Sequence, residues 1–285
     1  GAPGSGGIGF KSFPVSATFG GPPDVDLAVG DSYVIGGYNS YLHVYNKTGA
    51  SQGTISLQSL FTGLSICGNG YTCDPQVVYD DENDRYVVTG LGINSTATDS
   101  RLCLAVSKSE SPITAASNWW TYEIDPAGTG VADYPHTAVG EDAIFSGSVW
   151  FPSSGGNQSV MYVINKTKAY AGSTLLSADQ AQYVFSSTLI PQAAERRGFD
   201  QGQYPPAGTP TYIITPNLST QAHDLWRWNQ PTLTSTPTQW QASVTSYPGS
   251  ITNPSNSAYA QSYPIDGLDI RSEEHTSELQ SRQSI

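Results

Sequence analysis

The chain has 285 residues, with 24 Asp and Glu against 12 Lys and Arg for a formal net charge of −12. Phosphate backbones and anionic lipid surfaces would repel such a chain, which excludes nucleic acid and membranes as partners, and it contains no run of about 18 apolar residues able to span a bilayer. Charged residues make up only 13%, while Gly, Ser, Thr, Pro and Tyr abound, a bias that suits turns and strands and fits a secreted all-β protein.

The chain opens on "GAPGSGGIGF", which lacks the strand and helix that would make a phosphate cradle and reads as a flexible leader over residues 1–20. No Met and no signal peptide precede it, so the expectation is a mature or cut N-terminus. "LAVGDSYVIGG", from Leu27, then predicts two strands around a turn, and "LHVYNKTGA", from Leu42, a third. "DPQVVYDDENDRYVVTGLG", from Asp74, has the form of a hairpin, with Val77 and Tyr79 pointing one way and Tyr86 and Val88 resuming after an Asp/Asn turn. Asp80 to Arg85 lack the spacing of a calcium loop and predict a solvated turn in which Arg85 pairs with Asp80. "RLCLAVSKS" and "WWTYEID" supply the next two strands.

At Thr137 the opening pattern returns. "TAVGEDAIFSG" aligns without a gap to "LAVGDSYVIGG", and "MYVINKTKA", from Met161, follows as "LHVYNKTGA" did. A further unit is expected near "GTPTYIITPN", continued by "HDLWRWNQP" and "TQWQASVTS", and the loose "QYVFSSTLIPQ" could count as one more. Units of about 50 residues with about four short antiparallel strands each have the spacing of β-propeller blades. A β-sandwich would give no reason for the strand–strand–turn group to repeat. The expectation is a propeller over residues 21–270 with four to five blades present.

Cys67, Cys73 and Cys103 predict one disulfide, preferably a long-range bridge of Cys67 or Cys73 to Cys103 that ties a loop to the third strand of one sheet. Sequons at Asn46, Asn94, Asn157, Asn165 and Asn217, each in a turn-like context, suit N-glycosylation on a secretory route to the extracellular space. The final "RSEEHTSELQSRQSI", residues 271–285, crowds Arg and Glu into one run and resembles a translated sequencing adapter. It is expected to be foreign to the fold, with the natural protein continuing past Ile270.

"PPDVDLAVGDSYVIGGYNSYLHVYNKTG", "CDPQVVYDDENDRYVV", "LCLAVSKS" and "DYPHTAVGEDAIFSG" resemble the blades of a large, mostly uncharacterised family of secreted bacterial and fungal β-propellers, distantly similar to sialidases. The resemblance spans residues 21 to about 270 and implies architecture with no activity to carry over. The S-x-D-x-G-x-T-W box of sialidases is absent, and Arg85, Arg101, Arg196, Arg197 and Arg227 form no recognisable arginine triad.

Residues just before the innermost strand of each blade ring the mouth of a propeller's channel. Here those positions carry Asp24 and Asp26, Asp74, and Asp133. Two such carboxyl groups can divide general-acid and general-base roles on a glycosidic bond, with about 6.5–9.5 Å between them for inversion. They can instead share a hard cation such as Ca²⁺, or each can cap its own turn through an Asx bond beside Pro. His136 after "DYP" is a candidate proton carrier, and Tyr134 and Trp150 are candidate stacking platforms for sugars. His43 and His223 have aromatic neighbours along their strands and are expected only to pack. Two functions follow: recognition, with or without cleavage, of extracellular glycans at the channel mouth through Asp24, Asp74, Asp133 and His136 with no resident cofactor, or a non-catalytic propeller that presents a surface to other macromolecules.

Overall fold

The computed structural model describes residues 24–111, 114–125, 128–185, 187, 189–198, 204–217, 222–228 and 237–241. The expected leader at 1–20 and tail at 271–285 lie outside the described residues. The fold is an all-β propeller of four-stranded antiparallel blades. The first blade holds β1 (Val25–Val29), β2 (Tyr33–Tyr38), β3 (Tyr41–Asn46) and β4 (Ser51–Ser56). The second holds β5 (Tyr71–Asp80), β6 (Arg85–Ile93), β7 (Ser100–Ser107) and β8 (Trp119–Ile124). The third holds β9 (Gly130–Val139), β10 (Ala143–Pro152), β11 (Gln158–Asn165) and β12 (Gln180–Phe185). The fourth holds β13 (Gln192–Ala193), β14 (Thr211–Asn217), β15 (Ala222–Trp228) and β16 (Thr238–Gln241).

The recurring "AVG" segments occupy equivalent places. Leu27 pairs with Gly36 across the β1–β2 hairpin, and Thr137 pairs with Ser146 across β9–β10. Both turns close the same way, Gly30 N–H donating to the Tyr33 carbonyl and Gly140 N–H to that of Ala143, each at 2.9 Å. Gly30 is required by close approach: the Tyr86 hydroxyl of the second blade accepts its N–H at 3.1 Å and donates to the Tyr33 carbonyl at 2.8 Å, filling the space a Cβ would take.

Packing separates this arrangement from a sandwich, in which each sheet buries one face. In the second blade Val77, Tyr79, Tyr86 and Val88 pack toward Ile35, Leu42 and Val44 of the first. Their strand neighbours Val78, Val87, Leu104 and Val106 pack toward Val139, Ile144 and Val160 of the third. On the third blade's other side Phe145, Met161 and Val163 meet Ile213 and Trp228 of the fourth. Sheets buried on both faces in sequence order stand radially, so strands in them read as runs of apolar residues. The innermost strands follow suit: β1 lies against β5, β5 against β9, and β9 against β13.

Three expectations need correction. "QYVFSSTLIPQ" is no extra unit, because it supplies β12, the outer strand of the third blade, and leads to β13, the inner strand of the fourth. "GTPTYIITPN" is therefore that blade's second strand, and β13, with two paired residues, is too short to show any alternation. Asp80 is not a surface partner of Arg85 either. It is buried against Lys166 at 2.8 Å, while Arg85 donates to the Asn83 and Asp84 carbonyls.

The disulfide joins Cys67, in the loop after α1 (Leu57–Leu60), to Cys103 on β7, and Cys73 is free and buried. Cys73 thus leaves the candidate disulfide set. Gly92 makes room for the bridge, since a Cβ there would lie 2.7 Å from the Cys103 sulfur and 3.1 Å from that of Cys67. With its ends 36 positions apart along the chain, the bridge is expected to contribute about 4 kcal/mol by restricting the unfolded chain. Urea unfolding of the Cys67→Ala/Cys103→Ala protein should show a loss of that size, read from its midpoint and slope.

The sequon asparagines stand at or next to strand ends. Asn46 and Asn94 each accept backbone N–H groups from residues two to five positions ahead, Asn157 is exposed, and Asn165 caps α2 (Lys166–Tyr170) by accepting the Lys168 N–H at 3.1 Å. Asn217 closes β14. His43 packs between the rings of Tyr38 and Tyr45 on β3, and His223 lies on β15.

Candidate active site

The second and third blades are entered through the same distortion. In β5, Asp74 and Pro75 sit between the ladder pairs Cys73–Leu91 and Gln76–Thr89. In β9, Tyr134 and Pro135 sit between Asp133–Val149 and His136–Gly147. Each is a bulge, where a proline without an N–H can enter a strand and where side chains are re-aimed. Asp74 and Tyr134 are in the left-handed region, at φ 53 and 58, and Asp24, immediately before β1, is at φ 38. Aspartate tolerates this conformation, whereas for a ring as large as Tyr134 it is strained by roughly 1–3 kcal/mol.

These entries bring three half-buried carboxyl groups, Asp24, Asp74 and Asp133, within interaction distance. Burial, then the charges of Asp133 and Asp24, push the Asp74 carboxyl up to about 8, and a hydrogen bond shared with Asp133 pushes the same way against one from the Cys73 thiol. Burial and the same three acids push the Cys73 thiol well above its ordinary range, so it stays protonated and acts as a donor to Asp74. Two carboxyl groups at hydrogen-bond distance share one proton. The 6.5–9.5 Å separation expected of an inverting pair therefore does not apply to Asp74 with Asp133, which act as a unit.

On the other side of the cluster, Asp24 accepts from the Asn39 amide nitrogen at 3.2 Å. The Asn39 oxygen accepts from the Tyr71 hydroxyl at 3.0 Å and from Ser40 Oγ at 2.7 Å. Tyr71 and Tyr41 carry exposed rings beside this turn, at 57% and 36% of their surface.

The remaining candidates are placed differently. Asp26 is buried and accepts the Val77 N–H at 2.6 Å, clasping the first blade to the second. It also borders a cavity of about 880 Å³ running along the inner strands, which Leu27 and Val29 line from the first blade and Tyr212 and Ile214 from the fourth. His136 is only 2% exposed and packs its ring 5.5 Å from that of Tyr134. Trp150 lies half-buried on the core between the second and third blades, its indole edge over Gly128 and Gly130. Among the described residues no group of three or more His, Cys, Asp or Glu is arranged to hold a metal ion. Asn39, Tyr71 and the Cys73 thiol are members of the site that sequence reasoning missed. "YNSY" signals a turn and Cys73 a bridge, and neither pattern points to an acid elsewhere in the chain.

No protein-family model and no curated protein matches this chain. Among solved structures it is similar to the Hadza microbial sialidase Hz136, at 11% identity and a TM-score of 0.48, over 78% of this chain and 46% of that one. It is also similar to an alpha-L-arabinofuranosidase from Lactobacillus brevis (13% identity, TM-score 0.44, 78% of this chain and 72% of that one). A third is the Bacillus subtilis arabinanase Arb43A (14% identity, TM-score 0.39, 72% and 71%). The chain spans about half the length of the first structures it matches. Similarity at this level transfers neither activity nor site residues.

Proposed function

We propose that the protein recognises and hydrolyses glycans at the end of its channel where Asp24, Asp74 and Asp133 meet. One observation carries this: a carboxyl group kept protonated near neutral pH stands beside others in a half-buried, solvent-reaching cluster. Asp74, holding its proton with the help of Asp133, is the general acid that protonates the departing glycosidic oxygen. Asp24, held by the Asn39 N–H that favours its charged form, is the base that takes a proton from the attacking water as its oxygen bonds to the anomeric carbon. One water is added across one bond, and exchange with solvent returns a proton to Asp74 and removes one from Asp24. The exposed rings of Tyr71 and Tyr41 suit the C–H faces of sugars. Secretion, and N-glycosylation at Asn46, Asn94, Asn157, Asn165 and Asn217, go with a substrate outside the cell.

A glycan array followed by a reducing-sugar assay on each hit tests the proposal. Binding and release of reducing ends should both vanish in the Asp74→Asn/Asp133→Asn protein while its melting temperature does not fall. Retained hydrolysis in that variant would exclude the carboxyl site. Retained binding with no turnover in either protein would favour a non-catalytic propeller, the second function, for which the exposed stripe of Val25, Leu27 and Val29 on β1, at 62%, 57% and 50%, offers a contact surface.

A further inference from the structure

The hydrogen bonds around Asn39 join two blades at the site. We propose that Tyr71 and Asn39 are positioning residues, a relay in which the Tyr71 hydroxyl holds the Asn39 amide so that its N–H stays on Asp24. This inference rests on the acid–base site described above.

Asn39 is buried, and its backbone is fixed in the left-handed region at φ 44. Only the side-chain torsions are left to decide which end of the amide meets Asp24. An amide presents a donor at one end and an acceptor at the other, and only the donor end can face a carboxylate without repulsion. Two hydroxyl groups, from Tyr71 and Ser40, occupy the oxygen end and leave the nitrogen aimed at Asp24. Tyr71, 57% exposed as a residue, reaches Asn39 from the first position of β5 on the neighbouring blade. A single neutral hydrogen bond from an exposed ring adds little to folding. Its reach across blades to one amide is accounted for by what that amide holds. Among the described residues, the titratable groups that feel the Asp24 charge include Asp74 and Cys73 from β5, which share their site with Asp133 from β9. A released Asp24 can turn away from them toward solvent, which weakens its repulsion of the proton-sharing pair.

The test is carboxyl ¹³C NMR of the whole chain labelled at aspartate, titrated from about pH 4 to 10, which spans the ordinary and the raised carboxyl ranges. In the unaltered protein one carboxyl should titrate near pH 8. In Tyr71→Phe, which keeps the ring, and in Asn39→Gly, which keeps the backbone conformation, that midpoint should drop by about one pH unit with the melting temperature unchanged. A midpoint that stays in place in folded Tyr71→Phe overturns the relay and leaves the carboxyl site standing. An unaltered protein in which no carboxyl titrates above about pH 6 overturns both, because every aspartate would then lie in the ordinary range.

Discussion

Replacing Asp74 with Asn should slow catalysis severely and stabilise the protein in the same step. Asparagine fits the left-handed backbone at φ 53 and nearly matches the shape of the carboxyl group, but has no proton to give. Loss of a positioned general acid should lower the rate of glycan hydrolysis by about 10²–10⁴-fold. The stability effect follows from the direction of the Asp74 shift. Its carboxyl, raised to about 8 by burial and by the charges of Asp133 and Asp24, binds its proton more tightly folded than unfolded. The resulting stabilisation is complete below the ordinary carboxylate range and is lost as pH rises toward 8. A neutral amide at this position would carry no such dependence, so the variant should gain on the unaltered protein as pH rises, its melting temperature moving up by about 2–4 °C for each kcal/mol gained. Thermal unfolding at about pH 5 and pH 9, on either side of the raised value, measures the gap. Equal gaps at the two values would mean that Asp74 ionises as a solvent-exposed acid does.

A large loss of stability is expected at Lys166, at the opposite end of the same blade interface. Its ammonium lies 2.8 Å from Asp80 Oδ2 and donates to the Gly140 carbonyl at 3.0 Å, while the Tyr170 hydroxyl donates to the same carboxylate oxygen at 2.7 Å. Asp80 ends β5 of the second blade and Lys166 follows β11 of the third, so the pair pins one blade to the next. Burial acts to raise the Asp80 carboxyl, but Lys166, Tyr170 and Asn83 outweigh it and hold it below the usual range. Lys166→Met keeps much of the side-chain volume and strands a buried carboxylate, which should cost about 3–5 kcal/mol near neutral pH. The depressed Asp80 makes its contribution above the ordinary carboxylate range and loses it as pH falls through its lower folded value. In Lys166→Met the stranded acid is relieved by protonation, so the two proteins should converge in stability below about pH 4. Adding Asp80→Asn should recover part of the loss near neutral pH. Urea unfolding of the unaltered protein and the two variants decides, and a Lys166→Met loss under about 1 kcal/mol would place the pair among surface contacts.

How much of this was legible beforehand depended on range. "LAVGDSYVIGG" and "TAVGEDAIFSG" predicted equivalent hairpins because register follows from alternation along a few residues, and β1–β2 and β9–β10 do pair alike. The same logic failed at β13, where two ladder positions leave no pattern, and at Asp80, whose acid-rich turn looked solvated although a lysine from the next blade covers it.

By itself the sequence determined the all-β architecture and the four-stranded repeat, properties of short segments with a two-residue period; of the acids expected just before the inner strands only Asp24 stands there, whereas Asp26, Asp74 and Asp133 lie within β1, β5 and β9. Only the tertiary structure decided that Asp74 lies against Asp133, that Asn39 and Tyr71 are hydrogen-bonded in line with Asp24, and that Cys67 rather than Cys73 bridges to Cys103. The physical reason is that proton sharing, hydrogen bonding and sulfur pairing act over a few ångströms between residues far apart along the chain, where bulges and blade packing set the distance.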